Sequence, residues 1–103
     1  MYWQESIDRF NNYTAVTGLR PSALTQIGFN YLNLNDWKIA QSFFEKSLRI
    51  VPTDMNTLIL LGDAFLAQGH AGKAEEKYRI VLNLNKDSGL EKIIKSKIRN
   101  ISK

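Results

Sequence analysis

The chain has 103 residues, 44% hydrophobic and 23% charged, which points to one folded domain and excludes disorder as the default. Cysteine is absent, so disulfides, thiolate metal sites and a thiol nucleophile are ruled out. The net charge of +4 is confined to one end: residues 1–85 balance, and the excess comes from Lys86, Lys92, Lys95, Lys97, Arg99 and Lys103 against Asp87 and Glu91.

In chain order, residues 2–17 place Trp3, Ile7, Phe10 and Tyr13 along one side of a helix. No basic segment followed by an apolar one opens the chain, so no signal peptide is visible. The longest apolar run, Leu58 to Leu61, is far too short to span a membrane, and a cytoplasmic setting is favoured. A second helix starts at Pro21, whose missing N–H suits a first turn, and carries Leu24, Ile27, Gly28 and Tyr31 on one face. Asn35 and Asp36 break it, and Asp36 is expected to cap a helix from Trp37 to about Val51, which Pro52 ends. Thr53 or Asp54 should cap the next, from Met55 to about Gln68, with Gly69 as its stop. Another follows from Ala71 to Leu84. Ser88 and Glu91 read as a capping box for a last helix.

Shifted so that Leu24 falls on Leu58, the chain matches itself. Ile27, Gly28 and Tyr31 then fall on Leu61, Gly62 and Phe65; Ala40, Phe44 and Ile50 fall on Ala74, Tyr78 and Leu84. A glycine inside an apolar helix face costs roughly 1 kcal/mol against alanine, so Gly28 and Gly62 imply a close helix crossing. Ala40 and Ala74 fit the same crossing, with Phe44 and Tyr78 filling the space one turn later.

This pattern resembles the tetratricopeptide repeat, whose signature is W-x2-L-G-x2-Y, then A-x3-F, then P. The first copy reads Leu24, Ile27, Gly28, Tyr31, Ala40, Phe44, Pro52; the second reads Leu58, Leu61, Gly62, Phe65, Ala74, Tyr78, with Lys86 in place of the proline. The signature tryptophan is leucine in both. The resemblance implies an all-α helical-repeat solenoid: stacked antiparallel helix pairs in a right-handed superhelix. It implies full repeats over 21–54 and 55–87, and a concave groove that binds a peptide or partner helix.

The ends extend this reading. Trp3, Ser6, Phe10 and Val16 precede Trp37, Ala40, Phe44 and Ile50 by the same interval, so residues 2–17 read as half a repeat. Its missing first helix is expected to reflect a fragment of a longer repeat protein, or weak self-association through terminal helices. Trp3 and Trp37 are read as packing residues. Residues 88–102 form a capping helix, with Leu90, Ile93, Ile94, Ile98 and Ile101 on one stripe and Lys92, Lys95, Arg99 and Lys103 opposite. Lys97 falls within the stripe and must snorkel.

No catalytic, cofactor or metal site is expected. His70 is the only histidine and sits in a turn. Gly72-Lys73 lacks the rest of a phosphate loop, since Ala67 and Ala74 stand where glycine and Ser/Thr would be needed. Glu75-Glu76 reads as a solvated helix surface. The chain is therefore expected to be a protein–protein interaction module, a scaffold or adaptor rather than an enzyme. On the implied superhelix, residues about 100° from the signature stripe face the groove. These are Thr25, Phe29 and Leu32 on one helix and Ile59, Asp63 and Leu66 on the next, with Ser22, Asn33 and Asn56 at the rim. A ligand with apolar anchors and a basic group near Asp63 follows. The alternative is an electrostatic docking module that uses Lys92, Lys95, Arg99 and Lys103 on nucleic acid or an anionic membrane, a role in which steep salt dependence is expected.

Overall fold

The computed structural model describes residues 20–101, so the expected half-repeat over 2–17 and Lys103 lie outside the described residues. Within them the chain is all helical: α1 (Pro21–Asn33), α2 (Trp37–Ile50), α3 (Met55–Ala67), α4 (Ala71–Leu84) and α5 (Ser88–Ile101). Each helix packs on the next in the chain, and α1 also touches α3.

The turns after α1 and α3 are built alike. Asp36 N–H donates to Tyr31 O at 2.9 Å and Asn35 N–H to Leu32 O at 3.0 Å. At the equivalent positions after α3, His70 N–H donates to Phe65 O at 2.8 Å and Gly69 N–H to Leu66 O at 3.0 Å. Each is a Schellman closure, which satisfies the last carbonyls of a helix through one residue in the left-handed region. Asn35 (φ 66°) and Gly69 (φ 86°) fill that position.

Helix starts differ from expectation. Asp36 makes no side-chain cap, and Asp54 precedes α3 without bonding a backbone N–H. The Asp54 carboxylate instead accepts from the Thr57 hydroxyl at 2.8 Å, so a side-chain donor has displaced the backbone one. Ser88 does not cap α5 but opens it; Asp87 Oδ1 accepts the Gly89 N–H at 2.9 Å. The preceding residue wins because Asn85 holds it: Asp87 N–H donates to Asn85 Oδ1 at 3.0 Å, and Asn85 Nδ2 returns a bond to Asp87 O at 2.6 Å.

The core joins Ala40 and Phe44 of α2, Leu58, Leu61, Ala64 and Phe65 of α3, Ala74, Tyr78 and Val81 of α4, and Ile94 of α5. The glycines mark the close crossings. A Cβ on Gly28 would stand 2.6 Å from the Phe44 ring, and one on Gly62 would stand 2.5 Å from the Tyr78 ring. Tyr31 stacks on Phe43 with centroids 5.8 Å apart. Leu90, Ile98 and Ile101 of α5 lie against the core, while Ile93 is exposed.

Candidate binding cleft

A cleft of about 450 Å³ opens between α1 and α3, lined by Ser22, Thr25, Gln26, Phe29, Asp54, Asn56 and Leu60. The helices present these residues at i, i+4 and i+7: Ser22, Gln26 and Phe29 on α1, Asn56 and Leu60 on α3. Phe29 is 39% exposed, a large ring left open to solvent on a helix whose other face is buried.

Beneath the cleft lies a chain of hydroxyls. Thr25, Ser47 and Thr57 are all buried. Thr25 Oγ1 is 2.8 Å from Ser47 Oγ and 2.7 Å from Thr57 Oγ1. Ser47 donates onward to Pro21 O at 3.0 Å and Thr57 to Asp54 Oδ2 at 2.8 Å. A hydroxyl has one proton and two lone pairs. With the Ser47 and Thr57 protons committed outward, the Thr25 proton serves one neighbour at a time.

The residues expected in the groove divide. Thr25, Phe29, Asn56 and Ser22 line the cleft, although Thr25 forms its floor. Leu32 and Ile59 do not line it; they are partly buried against the core, because the helix-pair contact takes them first. Asn33 and Leu66 are exposed but away from the cleft lining.

Asp63 does not line the cleft and already has two partners within the chain. Its Oδ1 accepts the Tyr78 hydroxyl and the Lys97 ammonium, the latter at 3.3 Å. Lys97 also stands over the Tyr78 ring, 5.9 Å from its centroid. Lys97 therefore reaches back from α5 to an internal partner rather than extending into solvent. Burial first, then the hydrogen bond to Asp63 and its negative charge, push the Tyr78 phenol well above its ordinary pKa. Phe29, Asp63 and Lys97 hold one register position on α1, α3 and α5, separated by the same interval that relates Leu24 to Leu58.

Gln26, Asp54 and Leu60 join the cleft without having been expected there. The signal was the spacing from the rim: Gln26 is four residues after Ser22, and Leu60 four after Asn56. On α1 the lining keeps Thr25 and Phe29 at the 100° offset and adds Gln26 beside them, whereas on α3 Asn56 and Leu60 lie further round the helix than the offset places them. On α5, Lys92, Lys95 and Arg99 are exposed, and Lys95 pairs with Glu91 at 3.6 Å. His70 is exposed in the turn before α4, its ring edge-on to Phe65 at 6.3 Å. Glu75 pairs with Arg79 at 2.7 Å on the surface of α4. Among the described residues no helix is long and apolar enough to cross a membrane.

No protein-family model matches the chain, and no curated protein matches its sequence. Over the described residues the fold is all helical, with consecutively packed helices and a cleft between the first and third of them.

Proposed function

We propose that the chain is a short tetratricopeptide-type repeat module, a right-handed solenoid of helix pairs that binds another protein as a scaffold or adaptor. Its ligand is a peptide segment held between α1 and α3. The observation that carries this reading is the cleft itself, where Phe29 stands exposed among the side-chain amides of Gln26 and Asn56. An aromatic anchor ringed by groups that both donate and accept hydrogen bonds suits peptide recognition. Two observations support the repeat assignment: the paired Schellman turns and the paired glycine–aromatic crossings, each recurring at the interval of the sequence match.

The test is capture of partners from lysate on the intact chain and on Phe29→Arg, with the captured proteins identified by mass spectrometry. A partner held by the intact chain and lost from Phe29→Arg is the expected result. A partner held equally by both, but lost from a Lys92→Gln/Lys95→Gln/Arg99→Gln variant and in moderate salt, would move binding to the basic face of α5.

A further inference from the structure

We infer that the cleft between α1 and α3 selects a peptide segment carrying an apolar side chain close to a lysine or arginine, an inference that rests on the peptide-binding reading above. Among the described residues lining the cleft, Asp54 alone carries a formal charge, and Phe29 and Leu60 supply the large apolar surface. Asp54 gives one oxygen to the Thr57 hydroxyl. A carboxylate offers about four lone-pair sites, so most of its accepting capacity is left. Among the described residues Asp54 takes part in no ion pair. Asp63, the carboxylate expected to meet a basic ligand, is not among the residues that line the cleft and holds Lys97 at 3.3 Å. Recognition of a cation on this face therefore falls to Asp54. An acidic segment is disfavoured there by the like charge of Asp54.

The size of the cleft limits the ligand. A helix with its side chains, about 10 Å across, would fill 450 Å³ in little more than one turn. The site thus reads a few residues, and the apolar and basic groups must lie close together in the ligand. Gln26, Asn56 and the Ser22 hydroxyl supply donors and acceptors for its main chain.

The experiment is selection of a phage-displayed random dodecapeptide library on the full 103-residue chain, followed by binding of the enriched peptides to Phe29→Ala, Asp54→Asn and Asp54→Lys. Asparagine still accepts from Thr57, though without the charge, so Asp54→Asn should fold and melt somewhat below the parent, and binding is compared at a temperature where circular dichroism shows both folded. Enriched peptides are expected to carry Lys or Arg within two or three residues of a large apolar side chain. Phe29→Ala should abolish their binding, Asp54→Asn should weaken it roughly three- to tenfold, and Asp54→Lys should weaken it further. Peptides that depend on Phe29 but show no basic residue, or ignore Asp54→Asn, would overturn the charge rule and leave the peptide-binding reading standing. Peptides indifferent to Phe29→Ala, or no enrichment over an unrelated protein, would overturn both.

Discussion

Gly62 lies against the edge of the Tyr78 ring, so close that a Cβ on the glycine would stand 2.5 Å from Cε1. Alanine there gains about 1 kcal/mol of helix propensity. It also forces a buried ring aside, at about 1–3 kcal/mol, and the ring carries the hydroxyl that reaches Asp63. Gly62→Ala is therefore expected to destabilise the chain. Gly62→Ala/Tyr78→Leu should be less destabilised than the two single changes added together. Urea denaturation of the four proteins measures the coupling, and strict additivity would contradict the contact.

The Tyr78 phenol makes stability fall in alkali. An unfolded phenol titrates near 10, whereas the folded one is held well above that by burial and by Asp63. As pH rises past about 10, the unfolded chain loses this proton and the folded chain keeps it. The unfolded state then binds fewer protons, so stability declines with pH; below that range the contribution is fully present. Tyr78→Phe should cost about 1.5–3 kcal/mol at pH 7, the worth of a hydrogen bond to a carboxylate, and flatten the alkaline slope. Denaturant midpoints from pH 7 to 11 provide the check, with tyrosinate absorbance read alongside. An unchanged slope in Tyr78→Phe would count against it.

The two Schellman turns rank substitutions. Gly69 has φ 86° and nothing within 4 Å of where a Cβ would stand, so any cost of replacing it is that of the backbone alone. Gly69→Ala should lose about 1–2 kcal/mol, and Gly69→Asn clearly less, because asparagine tolerates the left-handed region. At the matching turn Asn35→Ala should be worse than Asn35→Gly. Thermal melts give the order, and equal Tm values for Gly69→Ala and Gly69→Asn would refute it.

The buried hydroxyls should respond unequally. Thr25→Val removes the one proton that two neighbours share, while Ser47 and Thr57 keep their bonds to Pro21 O and Asp54. Its cost should stay below about 1 kcal/mol. Thr57→Val removes a hydrogen bond to a carboxylate, worth about 1.5–3 kcal/mol, and should cost more. A larger loss for Thr25→Val in chemical denaturation would reverse this account.

Helix limits are legible in the sequence because periodicity and punctuation agree: Pro21, Asn35, Pro52 and Gly69 each stand where a helix starts or stops. The two glycine crossings are legible for a different reason, since glycine inside an apolar face is costly without a neighbour. Capping is not. Asp36, Asp54 and Ser88 all suit an N-cap, yet the choice turns on side-chain competitors such as Thr57 and Asn85. Asp63 looks free for a ligand in the sequence because its partner Lys97 sits on another helix, a contact no local window contains. Thr25 reads as a groove residue because a threonine next to an apolar stripe shows no sign of the two buried hydroxyls it meets from α2 and α3.

Thr25 sits where three helices converge, with a single proton for two equally near oxygens. Its hydroxyl has two settings of similar worth, so the seam is closed by a rotor rather than a fixed latch. A slight change in the spacing of α1 from either neighbour is met by turning one O–H bond, without stranding a buried polar group.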